Sequence, residues 1–434
     1  MDTAALYSLF LKSTGVSTDT RTLEKGALFF ALSGPHFDGN QFAQKALEKG
    51  ALAVVVDNAQ LERDTKQIWY VDNTLSALQK LATYHRQQLN TTLIALTGSN
   101  GKTTTKELIA TVLKQKYKLL ATAGNLNNHI GVPLTLLKLK PEHEIGIIEM
   151  GANALGEIAA LAAIAQPNWG VITNFGKAHL EGFGSEEGVI QGKTELYRHL
   201  IQFKQKILIN ADDPNQIKYS LGGDVVTFGQ TKEAELQWNP SKSNTEGIRI
   251  LFEGHSYHSK LYGSYNCTNL AIALAFGNLF DITPAKAQQA LQNYESTNNR
   301  SQILKIKDTT YILDAYNANP SSMQAALEAF AAKKNSKKAV ILGDMRELGT
   351  HAVDAHEQIA ALTTTLGIEK VLLIGPLFSA TSFEHNSIEK FKDLESFKNA
   401  FNPAQWEYSR VLLKGSRALE LEQLIPYFKA CFSS

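Results

Sequence analysis

Residues 95–107 read ALTGSNGKTTTKE, and they follow the apolar run TTLI at 91–94. Beyond them Leu108, Ile109, Val112 and Leu113 fall at the spacing of one helix face. A strand, a glycine-containing turn and a helix in that order make a phosphate-binding loop. Glycines let backbone N–H groups converge on phosphate oxygens, and the helix N-terminus adds partial positive charge. The usual spacing, G-x-x-x-x-G-K-[ST], would need glycine where Leu96 stands. The glycines are instead Gly98 and Gly101, with Ser99 and Asn100 between them and Lys102, Thr103 and Thr104 after them. Lys102 is expected to neutralise the β- and γ-phosphates, and Thr103 or Thr104 to offer its hydroxyl to Mg²⁺. A capped glycine turn explains the residues taken singly, but not their place between strand and helix.

Outward from the loop, strand and helix patterns alternate as in a mostly parallel sheet. IGIIEM (145–150), WGVITN (169–174) and KILIN (206–210) read as strands. Residues 225–263 carry short polar–apolar alternations and read as an antiparallel appendage, followed by a helix over 268–280. Upstream, GALFFAL and GALAVVV alternate with helical stretches, a small α/β domain over 1–88. Downstream, YILD, AVILGD, VLLIG and RVLLKG restart the alternation as a second doubly wound unit over 303–434. The expected architecture is α/β with three domains, 1–88, 89–302 and 303–434, the middle one a P-loop ATPase-like parallel sheet and the last Rossmann-like. A length of 434 residues agrees, because a single core stops growing well below that size.

Bulk properties exclude several function classes. A formal charge of +1 gives no global field for nucleic acid or an anionic membrane. Uninterrupted apolar runs stay well short of the roughly 18 residues that cross a bilayer, so no membrane insertion is expected. The two cysteines, Cys267 and Cys431, make no metal spacing or disulfide framework, and the N-terminus has no signal pattern. A cytoplasmic monomer is the expectation.

Three features fall just past the ends of successive strands, where open α/β sheets bind ligands. Glu149 stands at a strand tip, a common place for a Mg²⁺ ligand. His179 lies in the glycine-rich loop NFGKAHLEGFGS, where a histidine alone reads equally as polar surface. Lys193 and Glu195 lie in GVIQGKTELYRHL, a mid-helical cluster in which a lysine is normally solvated.

The set TGSNGKTTTKE, NLNNHIGVPLT, EMGAN, NFGKAHLEGFGS and GKTELY, in this order, resembles the Mur ligases, ATP-dependent amide-forming enzymes of peptidoglycan precursor synthesis. The resemblance runs from about residue 17 to 417, and the absent glycine at 96 is the family's own variant of the loop. It implies ATP, two Mg²⁺ ions and CO₂, the last held as a carbamate on Lys193. Thr103 and Glu149 would hold one ion, and His179 and carbamylated Lys193 the other; Lys102, Glu149, His179 and Lys193 would form the catalytic set. Asn269, Arg300, Asp314 and Asn317 would join residues 98–104 around the nucleotide.

The segment STDTRTLEKGALFFALSGPHFDG resembles the family's uridine-nucleotide domain, with Asp19, Thr20, Arg21, Phe37, Asp38 and Gly39 as substrate contacts. Asn127, Asn128, Lys414 and Ser416 would face substrate from the other two domains. DAYNANPSSMQAAL (314–327) and LGDMRELG (342–349) are similar to members that take UDP-MurNAc-tripeptide and D-alanyl-D-alanine as substrates, and no DNPR-type signature occurs. The rivals are a tripeptide-forming member, a folylpolyglutamate synthetase and, from another class, a nucleotide switch without amide synthesis. A mere switch has no need of Glu149, His179 and Lys193 together.

Overall fold

The computed structural model describes residues 2–61, 67–241, 246–333 and 336–433. Three α/β units follow one another, each built on a parallel or mostly parallel sheet. The first sheet holds Val16–Ser17, Leu28–Phe30, Ala53–Val56 and Ile68–Tyr70, all parallel. Leu28–Phe30 and Ala53–Val56 are buried throughout, as parallel strands covered on both faces require.

The helix Thr74–Gln87 joins this unit to the next. Asn73 caps it by accepting from the Ser76 amide at 2.7 Å. Its buried Leu78, Leu81 and Ala82 belong to a core that continues through Val132, Leu136, Ile158 and Leu161 of the central unit. Near its end His85 Nε2 donates to the Leu139 carbonyl at 2.9 Å, and Arg86 donates to Asn168 Oδ1 at 2.9 Å. The first two units therefore share one core.

The central sheet runs, from one edge, Leu119–Ala121, Ile145–Glu149, Thr92–Thr97, Trp169–Ile172, Lys206–Asn210, Asp224–Gly229, Leu236–Ser241, Ile248–Phe252 and His255–Ser259. The strand Thr92–Thr97 pairs in parallel with both neighbours, Leu96 opposite Glu149 and Thr97 opposite Ile172. Three strand ends therefore open side by side. The antiparallel appendage expected over 225–263 is corrected here, since Asp224–Gly229 and Leu236–Ser241 extend the sheet in parallel and only the last two pairings are antiparallel. The helix Pro214–Ser220 precedes Asp224–Gly229 and supplies the crossover that parallel pairing needs. The helix expected from 268 begins at Asn266 and is buried on almost every face against the phosphate-loop helix Lys102–Leu113.

The third sheet orders Gln302–Ile306, Thr309–Asp314, Arg410–Lys414, Lys338–Gly343, Lys370–Ile374 and Ile388–Phe391, antiparallel only at its first pair. Among the described residues no helix is long and apolar enough to cross a membrane.

Because Leu81 is fully buried in the shared core, Leu81→Ala is expected to destabilise the protein by about 2–5 kcal/mol. In a guanidinium titration the first two units should still unfold in one transition. Separate transitions would contradict the shared core.

Candidate active site

The phosphate loop is shaped by its neighbours. Gly98 has φ +143°, and a Cβ there would lie 2.0 Å from Thr173 Oγ1. Gly101 has φ +78°, and a Cβ there would lie 2.6 Å from Asn269 Oδ1. Side chains at either position would collide as well as strain the backbone. Ser99 Oγ accepts from the Gly176 amide at 3.0 Å, the Asn100 amide donates to Asn174 Oδ1 at 3.0 Å, and Thr173 Oγ1 donates to the Asn100 carbonyl at 2.6 Å. Leu96 is a fully buried strand residue and has no positive φ that would call for glycine.

Lys102 folds back over this turn and donates to the Gly98 carbonyl at 2.6 Å. Burial pushes its amine below the usual lysine range, the Arg300 charge acting in the same direction and Glu149 opposing. Glu149 is almost wholly buried at its strand end. Its Oε1 accepts from Thr103 Oγ1 at 3.2 Å and from Asn127 Nδ2 at 2.8 Å. Its Oε2 is buried without a hydrogen-bond donor among the described residues and faces the ammonium of buried Lys106 at 3.6 Å. An orphaned carboxylate oxygen beside a threonine hydroxyl suits a hard divalent cation. Among the described residues no three His, Cys, Asp or Glu side chains gather as a metal-ligand group. An ion here would therefore draw its other ligands from hydroxyls, waters and nucleotide phosphates, as Mg²⁺ commonly does.

Lys193 departs most from its sequence reading. It is not a solvated mid-helical residue: the helix Glu186–Lys193 ends on it, a second helix starts at Glu195, and its exposure is 0 %. Its amine donates to the Ala152 carbonyl at 3.2 Å and sits 4.9 Å from the centre of the Phe183 ring. Burial, reinforced by the Lys102 charge, drives that amine well below the lysine range, against Glu157 and Glu195. Glu195 is occupied elsewhere, accepting from the Gly156 and Ala159 amides at 2.6 and 2.9 Å at the start of the helix Glu157–Ala165.

His179, in the left-handed region at φ +55°, pairs through Nδ1 with the carboxylate of Glu347 from the C-terminal unit. The same contact holds the Glu347 carboxyl below its usual range, against partial burial.

One cavity of about 800 Å³ has walls that include residues 99–104, Asn127, Asn128, Glu149, His179, Asn269, Arg300, Asp314, Asn317 and Lys414, while Lys193 is buried outside its lining. Asn128 Oδ1 accepts from the Ile130 and Gly131 amides at 3.1 and 2.9 Å. Lys414 and Asp314 form a buried pair at 2.6 Å, and Arg300 stacks on Tyr316 at 3.8 Å from the ring centre. Asn317 accepts from its neighbour Ala318's amide. Ser416 is buried outside the cavity wall, its hydroxyl unpartnered.

The N-terminal candidates are not brought to this cavity. Arg21 and Asp19 form an exposed pair at 2.7 Å, the arginine holding the carboxyl down at about 2. The Thr20 carbonyl accepts from Lys49 Nζ at 2.7 Å. Phe37 is half-exposed and stacks on Phe42, Asp38 accepts from the Asn40 amide at 3.0 Å, and Gly39 is pressed against the Leu32 carbonyl.

Sequence reasoning passed over four contributors, Asn319, Ser321, Glu107 and Glu347. Asn100 is bridged to the C-terminal unit by Asn319 at 2.8 Å and Ser321 at 3.2 Å. Glu107 accepts from Tyr294 Oη and Asn298 Nδ2, both at 2.6 Å, which anchors the linker leading to Arg300 on the phosphate-loop helix. Glu347 lies within the quoted LGDMRELG. Its contact with His179 has no local signature.

A phosphate loop with a lone strand-end carboxylate and a buried low-pKa lysine, closed by a second α/β unit, defines a nucleotide-dependent group-transfer protein. Three family models match along the chain: "Mur ligase family, catalytic domain" over 12–86, "Mur ligase middle domain" over 96–277 and "Mur ligase, glutamate ligase domain" over 299–417. The UDP-N-acetylmuramoyl-tripeptide--D-alanyl-D-alanine ligase of Bacillus subtilis is 35% identical over 422 residues, covering 95% of this chain and 92% of that protein. The Escherichia coli ligase of the same name is 34% identical over 426 residues, 94% and 92% of the two chains. Among solved structures, MurF from Acinetobacter baumannii superposes with a TM-score of 0.85 at 27% identity, covering 97% and 98% of the two chains. MurF from Thermotoga maritima, in complex with ADP, superposes at 0.87 and 25% identity, covering 98% and 99%. The chain belongs to the Mur ligase family.

Gly98→Ala should weaken ADP binding, measured by titration calorimetry, at least ~10-fold, since a non-glycine residue in such a conformation costs about 1–3 kcal/mol before any collision. The thermal transition should also fall, since the folded protein bears the same strain and collision. Unchanged affinity would mean the loop is not the phosphate site.

Proposed function

We propose that this chain joins D-alanyl-D-alanine to UDP-N-acetylmuramoyl-tripeptide in the cytoplasm, driven by conversion of ATP to ADP and phosphate. The observation that carries this reading is the single cavity in which the phosphate loop, Glu149, His179 and C-terminal residues converge, beside fully buried Lys193, in a chain alike along its whole length to ligases of that name. The expected domains 1–88, 89–302 and 303–434 divide the work. The first takes the uridine nucleotide through Asp19, Thr20, Arg21, Phe37, Asp38 and Gly39. The second activates the tripeptide, positioned by Asn127 and Asn128. The third closes over the nucleotide with Asp314 and Asn317 and faces the reacting groups with Lys414 and Ser416.

ATP lies with its phosphates on the amides of 98–104 and its remainder against Asn269 and Arg300. Lys102, now turned onto the Gly98 carbonyl, swings to the β- and γ-phosphates. The orphaned Glu149 oxygen and the Thr103 hydroxyl suit one Mg²⁺. Thr103 is preferred over Thr104 because its hydroxyl already touches Glu149. Lys193 is buried and its pKa is driven down by that burial, which favours the neutral amine that can add to CO₂ with loss of a proton, giving an anionic carbamate. That carbamate and His179 would hold a second Mg²⁺. When bound, the two ions offset phosphate charge and align the γ-phosphoryl group with the attacking carboxylate.

A terminal carboxylate oxygen of the tripeptide attacks the γ-phosphorus and ADP leaves, giving an acyl phosphate. The amine of D-alanyl-D-alanine attacks the acyl carbon, the amide forms, and phosphate departs with that oxygen. Docking of the C-terminal unit against the phosphate loop, through Asn319 and Ser321 on Asn100, keeps water from the acyl phosphate.

With all three substrates present, ADP should appear in equal amount to the new amide, and omission of either peptide substrate should return its release to background. No ADP release above background would refute the reading. Lys193→Ala should abolish ligation, with partial rescue by short carboxylic acids that occupy the vacated space and supply an anionic oxygen. Full activity of that variant would refute the carbamate.

A further inference from the structure

We infer that Glu347, carried on the C-terminal unit, is a positioning residue that fixes the tautomer of His179, so that the second metal site is completed only when that unit docks. The inference rests on the reading of His179 as a ligand of a second Mg²⁺.

The contact is built from both sides. His179 and Glu347 both adopt left-handed backbone conformations, at φ +55° and +61°. Non-glycine residues persist there only where surrounding structure holds them. The Glu181 amide donates to the Glu347 carbonyl at 3.4 Å, and the short turn Gly349–His351 packs against Leu180–Phe183. Gly349, at φ +53°, lies beside Glu181, and a Cβ there would make ordinary van der Waals contact with it at 3.5 Å. The carboxylate of Glu347 approaches His179 Nδ1 as an ion-pair contact, and that buried nitrogen makes no hydrogen bond of good geometry among the described residues.

An ionised carboxylate only accepts, so its contact at Nδ1 favours the tautomer that carries the proton on that nitrogen. In a neutral imidazole that leaves the lone pair on Nε2, the one atom of the ring able to ligate a cation. Carboxylates that hold ligating histidines this way fix both tautomer and ring orientation. Here the carboxylate belongs to a different unit from its histidine. Separating the units would release the ring to its other tautomer and remove the orienting group.

The test compares wild type, Glu347→Ala and Glu347→Gln with ADP present, reading Mn²⁺ binding by electron paramagnetic resonance and the His179 tautomer by ¹⁵N NMR, the signal assigned with a His179→Gln variant. Wild type should bind two Mn²⁺ and show Nδ1–H. Glu347→Ala should keep the tighter ion, bind the second ~10–100-fold more weakly and shift His179 toward Nε2–H. Glu347→Gln, whose carbonyl still accepts, should fall between them. Two ions in the wild type with unchanged or tighter second-ion binding in Glu347→Ala would overturn the role of Glu347 alone, tighter binding meaning that the carboxylate competes with the metal. A wild type that binds one ion overturns the inference together with the second-metal reading.

Discussion

The structure depends on a turn that leaves no space for side chains. At Gly98 and Gly101 the backbone takes positive φ, with Thr173 and Asn269 where Cβ atoms would stand. Those neighbours come from the next parallel strand's loop and from the buried helix Asn266–Leu279. The turn is thus held by the sheet order and by the packing of two central helices. Once it is fixed, its amides, the helix N-terminus and Lys102 face one cavity, and the strand ends at Glu149 and Ile172 open beside it.

A second constraint is the handling of buried charge. Lys193 is enclosed with one carbonyl and one aromatic ring for company, and Lys106 and Glu149 face each other in the interior. Such groups are costly unless paired or neutralised, and removing one partner strands the other. Burial disfavours the charged form of the Lys193 amine and lowers its pKa. Glu149 keeps one oxygen without a donor, an arrangement that makes sense when a cation is the intended partner. Glu149 lines the cavity and Lys193 is buried outside its lining; a buried amine shifted in the way that of Lys193 is shifted often marks a functional site. The C-terminal unit touches the same place twice, through Asn319 and Ser321 on Asn100 and through Glu347 on His179. Its docking therefore reaches both the phosphate loop and the proposed metal ligand.

What was legible in the sequence was local. The loop, its helix and the apolar strands around Glu149 follow from residue spacing, since their physics is contained in a few consecutive residues. The motif order carried the family. The environment of Lys193 was not legible: the hydrophilic string GVIQGKTELYRHL gives no hint that a lysine ends one helix inside the core. The direction of Asp224–Gly229 was misjudged because alternation reports a half-buried strand and not the neighbour it pairs with. Leu119–Ala121 and Ile388–Phe391 went unrecognised as short edge strands with partly exposed residues. Glu107 and Glu347 act on partners 187 residues and a whole domain away, respectively, and only the fold makes those distances short.

The central claim is that the loop's γ-phosphate is transferred to the tripeptide's carboxylate before the amide forms. Its most direct test is isotopic: tripeptide labelled with ¹⁸O in its terminal carboxylate is converted with ATP and D-alanyl-D-alanine, and the released nucleotide and phosphate are weighed by mass spectrometry. The account predicts one ¹⁸O in each inorganic phosphate and none in the nucleotide. Label in a nucleotide monophosphate, or unlabelled phosphate beside full amide formation, would contradict it.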